Sequence, residues 1–165
     1  MPGYSTVFDA LPACYARLCS IKFPAHPSTG VQVPQPVYMP GADEPEEFEW
    51  IQLVGKVTPE DGETTSVGPV AIRESYLLHI RVQSWVPGSI GPAVTERLGE
   101  LCEPIQAEFR DITGDNPTGR PKLLDLGGRE QMLGTVFERI ELGPVVDNEG
   151  WGQIADMYLR VVAEI

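Results

Sequence analysis

The stretch "ESYLLHIRVQSWVPGSIG", residues 74–91, alternates apolar and polar side chains and then stops abruptly at a proline and two glycines. Extended, it sets Tyr76, Leu78, Ile80, Val82 and Val86 on one side and Ser75, His79, Arg81 and Gln83 on the other, with Leu77 and Trp85 as apolar exceptions on the polar side. This is a strand with one face toward a core and one face toward water or a partner. With the preceding "PVAIR" it spans up to 18 residues, against a usual strand length of about five or six. The expectation is that part of it bends or projects beyond the sheet.

Working outward, "FEWIQLVGKVT" (48–58) reads as a second strand that ends at the turn "PEDGE". The prolines at 34, 36 and 40 around "VQVPQPVYM" remove ladder donors, so that segment can form only an edge. Upstream, Val7, Leu11, Cys14, Tyr15 and Leu18 make a helical stripe, with Thr6 or Asp9 as its N-cap. From Pro92, the residues Val94, Leu98, Leu101, Cys102, Ile105, Phe109 and Ile112 define a second helix that Pro104 should kink. After the breaker "TGDNPTGRP" come "KLLDLGG", "LGTVFERIELGPV", the turn "DNEG" and a strand with Ala155, Met157, Leu159, Val161, Ala163 and Ile165 on one face. The order helix, strands, helix, strands predicts an α+β fold: a mostly antiparallel sheet, two helices packed on one face, and long hairpin and loop extensions. At 165 residues, 1–165 is expected to be a single domain.

Composition narrows the function. The formal charge of −12 argues against gripping a nucleic-acid backbone, which needs clustered Lys and Arg. Cys14, Cys19 and Cys102 are an odd number without a CxxC pair, so they are expected to be small core residues in a reducing compartment. No basic and apolar leader opens the chain, and no apolar run reaches the ~18 residues of a membrane span, so assembly in the cytoplasm and no membrane partner are expected.

The search for chemistry yields no catalytic, metal or cofactor residues. The histidines are His26, in a proline-rich loop, and His79, on the polar side of the long strand, and no GxSxG elbow accompanies either. HExxH and P-loop patterns are absent, and Asp111 and Asp115 follow no EF-hand spacing. The carboxylates of "GADEPEEFE" (41–49) read as a solvated loop. Leu77, His79, Arg81 and Trp85 remain as candidate contact residues, facing either a cover within the domain or another copy of the chain.

The segments "TVFDALPACYARL", "FEWIQLVG" after its acidic loop, "YLLHIRVQSWVPG", "VTERLGELCEPIQAEF" and "MYLRVVAEI", in this order, resemble the tail terminator (tail completion) proteins of long-tailed phages. The resemblance spans nearly the whole chain and carries no catalytic signature. It implies a structural virion protein of the tail or neck. Such a protein forms a homohexameric ring that caps the tail tube, stops its elongation and presents its other side to the head-completion or connector protein. It needs no cofactor, and DNA traverses the lumen without specific binding. A head–tail connector is the alternative; a tube subunit, or a small hydrolase using His79, is further away.

Overall fold

The computed structural model describes residues 7–39, 48–59, 73–86, 91–109, 132–147 and 150–164. In chain order these form α1 (Val7–Ser20), β1 (Val37–Met39), β2 (Trp50–Pro59), β3 (Arg73–Trp85), α2 (Ala93–Phe109), β4 (Met132–Asp147) and β5 (Gly150–Glu164). The strands make one sheet in the order β1-β2-β3-β5-β4. Every pairing is antiparallel except that of β1 with β2. The α+β architecture expected from the element order is therefore the one observed.

Over its described residues the long strand does not project beyond the sheet; residues 69–72 of the expected run lie outside the described residues. β3 covers thirteen residues, and each pairs with β5, from Arg73 opposite Glu164 to Trp85 opposite Gly152. A strand of this length is satisfied because β5 runs fifteen residues beside it. The irregularities fall instead on β2, whose register with β3 shifts between Val54 and Thr58, and on β4, whose register with β5 shifts between Met132 and Gly134 and between Phe137 and Arg139. β3 thus lies in the middle of the sheet with both backbone edges occupied within its own chain.

Alternation then decides where the core sits. Tyr76, Leu78, Ile80 and Val82 of β3 share a buried layer with Ile51 and Leu53 of β2 and Ala155, Met157, Leu159 and Val161 of β5. The two helices close this layer with Ala10, Cys14 and Leu18 from α1 and Leu98, Leu101, Cys102, Ile105 and Phe109 from α2. On α1 the innermost line is Ala10, Cys14 and Leu18 at i, i+4 and i+8; Val7, Leu11 and Tyr15 of the expected stripe flank it, half-buried. A small side chain at Ala10 lets that turn approach the sheet closely.

Of the two N-cap candidates for α1, the described residues decide only Asp9. Helix α1 begins at Val7, so Asp9 is a first-turn carboxylate facing the positive end of the dipole and not the N-cap. Thr6 lies outside the described residues, as do Ile112, "TGDNPTGRP", "KLLDLGG", Asp111 and Asp115. Helix α2 begins just after Pro92, whose carbonyl accepts the Glu96 N–H at 2.9 Å. Ser84 ties this start to the sheet, donating to the Val94 carbonyl at 2.9 Å. Among the described residues no helix is long and apolar enough to cross a membrane.

Candidate functional site

On the side of the sheet away from the helices, register sets the polar residues in two rows that cross three strands. His79, Tyr158 and Arg139 stand opposite one another on β3, β5 and β4, and Arg81, Asp156 and Glu141 form the next row. Cross-strand neighbours at this spacing touch. The His79 and Tyr158 rings stack at 4.7 Å, and the Arg139 guanidinium lies 4.4 Å from the Tyr158 ring centre. Further contacts lace the rows together: His79 Nε2 donates diagonally to Asp156 Oδ1 at 2.5 Å, Arg81 Nε donates straight across to the same oxygen at 2.8 Å, and along β4 Arg139 Nε donates to Glu141 Oε1 at 2.9 Å.

Electrostatics fix the state of Asp156. Burial pushes its carboxyl up, but the hydrogen bonds and charges of Arg81 and His79 more than offset this and hold it below the usual carboxylate value. A depressed folded value means that the group stabilises the fold fully above its unfolded value, near 3.8, and loses that contribution as pH falls through the folded value. Urea midpoints of wild type and Asp156→Asn should therefore differ most at neutral pH and converge in acid. A gap that stays constant from neutral pH to well below the carboxylate range would show that the ionised carboxylate is not what matters.

A His–Asp contact is half of a hydrolytic triad, yet here the carboxylate is shared with Arg81 and the imidazole is stacked on Tyr158. No nucleophilic side chain is hydrogen-bonded to His79 among the described residues. Burial pushes the Cys14 and Cys102 thiols up to about 12, which leaves them protonated and unreactive near neutral pH. Cys19 is half-buried, not a core residue, and its sulfur accepts from Gln35 Nε2 at 3.6 Å. Among the described residues no three His, Cys, Asp or Glu side chains are grouped so as to hold a metal ion.

The four candidate contact residues separate. His79 and Arg81 are partly open, with side-chain exposures of 15% and 33%. Leu77 and Trp85 are each 5% exposed, buried by their own chain, and Trp85 stacks on Phe48 with ring centres 5.0 Å apart. As positioned, these two add nothing to a surface that another molecule could reach.

A second cluster, at the end of the sheet where β2 begins and β3 stops, escaped the sequence reading. Arg97 of α2 is 1% exposed. Its Nε and Nη2 donate to the Glu49 carboxylate at 3.0 Å, and its remaining donors reach the Pro24 and Ala25 carbonyls and Glu100. Burial opposes the charge, but Glu49 and Glu100 outweigh it and hold the guanidinium ionised. Glu49 is thus an ion-pair partner in the interior, not part of a solvated loop. Beside it, His26 is buried: its Nε2 donates to the Trp85 carbonyl at 2.8 Å, while Nδ1 accepts the Ser28 N–H at 3.1 Å, which fixes the Nε2–H tautomer. Both residues pin the loop between α1 and β1 to the sheet.

No family model matches the chain, and no curated protein does. Among solved structures, a chain described as "Virion of native gene transfer agent (GTA) particle" superposes with a TM-score of 0.59, covering 99% of this chain and 100% of its own length. The two are 14% identical, so the likeness is one of fold. It extends end to end on both chains.

Proposed function

We propose that the protein is a structural virion component that forms a ring on the end of a phage tail tube, stops its elongation and joins the tail to the head-completion complex. The end-to-end likeness to a chain of a gene transfer agent virion carries this reading, because it relates the whole fold to that of a particle constituent. The order of sequence segments that resembles the tail terminators supports the same role. So does the use of the most catalytic-looking pair, His79 and Asp156, as cross-strand bracing. A chain of net charge −12, repeated around a lumen, would repel DNA phosphates at short range and let the genome pass without being held.

Electron microscopy of a lysate from a phage lacking this gene tests the reading. Tails far longer than normal and without heads are expected. Tails of normal length beside separate filled heads would move the protein to the head–tail connector and end the terminator reading.

A further inference from the structure

Between α1 and β1 the chain passes the end of the sheet, and its turn at 26–31 is folded around one imidazole. The His26 N–H donates to the Val31 carbonyl at 2.9 Å, and the Gly30 N–H returns to the His26 carbonyl at 2.8 Å. Gly30 closes the turn at a φ of +69°, a left-handed conformation that a residue without Cβ adopts freely. Within this turn His26 Nδ1 accepts the Ser28 N–H at 3.1 Å and the Thr29 N–H at 3.4 Å. Nε2 gives the ring's one proton to the Trp85 carbonyl at the end of β3. The ring is buried, so water cannot stand in for these partners while the turn is closed.

The two contacts at Nδ1 require a neutral ring. A proton there would face two backbone N–H donors, and an imidazolium has no lone pair to accept either. The surrounding charges do not favour one. Arg97 of α2 donates to the carbonyls of Pro24 and Ala25, the two residues before His26, which brings a permanent cation to the same place. The carboxylates nearby are already engaged: Glu49, just ahead of β2, accepts from Arg97 Nε and Nη2 and from the Trp85 N–H, and Glu100 of α2 accepts from Arg97 Nη1. The end of β3 adds no ionisable side chain from Gln83 to Val86, and Lys22 at the root of the segment is exposed. From Phe23 to Pro36 the segment holds no ionisable side chain other than His26.

We propose that His26 is a proton-operated latch: uptake of a proton opens the turn 26–31 and detaches it from the end of β3, while Arg97 keeps hold of the chain behind it at Pro24 and Ala25. The guanidinium stays charged throughout, so the root of the segment does not titrate and the turn hinges on it. The sign follows from which form can take the proton. A closed turn needs Nδ1 bare, so the latch contributes its full stability where a solvated imidazole is neutral. It loses that contribution as pH falls below about 6.5, with the open turn favoured roughly tenfold for each further unit. This device is independent of any role in a tail, since it involves one chain alone.

Hydrogen exchange on the full chain at about pH 7.5 and about pH 5.5, either side of the ordinary imidazole value, tests it. The readout is the protection factor, which removes the pH dependence of the exchange chemistry itself. Protection of the amides from Ser28 to Val31 should fall about tenfold between the two conditions, and that of the β3–β5 ladder should not fall. His26→Gln has an amide that can donate to the Trp85 carbonyl and takes up no proton in this range, so the drop should vanish. His79→Gln removes the other histidine of the chain and should leave the drop intact, which keeps the test decisive even where His26→Gln fails to fold. Equal protection of the turn at both pH values, a drop that persists in His26→Gln, or one that disappears in His79→Gln overturns the proposal. So does a nitrogen NMR titration in which the His26 ring becomes protonated while the turn amides keep their protection.

Discussion

Replacing Arg97 with methionine should lower the stability of the isolated chain by about 3–5 kcal/mol, the cost of breaking a buried ion pair by deleting one partner. The side chain is 1% exposed and its main partner Glu49 is 11% exposed, so the carboxylate left behind has little water to turn to. The Pro24 and Ala25 carbonyls lose their donors at the same time. Glu100 contributes little to this sum, because at 46% exposure its charge is solvated with or without the guanidinium. Denaturant unfolding measures the loss, and a companion variant separates its causes. Arg97→Met combined with Glu49→Gln removes the orphaned charge and should cost less than the two single changes added together. If Arg97→Met unfolds within about 1 kcal/mol of wild type, the value expected for a surface pair, the cluster does not anchor the fold.

That cluster also marks where the sequence stopped being legible. The period of two in β3 and of 3.6 in α2 could be read directly, because most positions of each inner face are apolar, and with them came the layer order and the side on which the helices lie. Arg97 occupies the same α2 stripe, three residues after Val94 and four before Leu101. Its position was the available signal, but a charge on a helix reads as solvated unless its partner is known. That partner, Glu49, is supplied by a chain segment 48 residues away. The His79–Asp156 contact had the same obstacle: alternation assigned both residues to polar faces, whereas their meeting depends on a register between strands 77 residues apart. Strand order was hidden for a related reason. Nothing in a local pattern says that β5 inserts between β3 and β4, yet that insertion gives β3 a partner along its full length and leaves β4 on the outside.

Trp85 shows how this changes an expected result. As an apolar residue on a polar strand face it suggested a contact whose loss would weaken association and spare the fold. At 5% exposure and stacked on Phe48, it should instead act on the single chain: Trp85→Ala is expected to cost about 3 kcal/mol, the lower end for deleting a large aromatic from an interior, since Phe48 on its far side is itself 48% exposed. The effect must appear as a lower denaturation midpoint that does not depend on protein concentration. Gly152 beneath it provides a control. A Cβ there would lie 3.2 Å from Trp85 Cε3 but 2.8 Å from the Ser84 carbonyl oxygen. Removing the indole frees the first contact and cannot relieve the second, because the Ser84 carbonyl is main chain of the paired strand and not the end of a flexible side chain. Gly152→Ala should therefore remain destabilising in the Trp85→Ala background, by less than in wild type. Were Trp85→Ala to leave the midpoint unchanged and weaken only self-association, the indole would belong to the neighbouring copy, and the contact surface would lie at the sheet's centre.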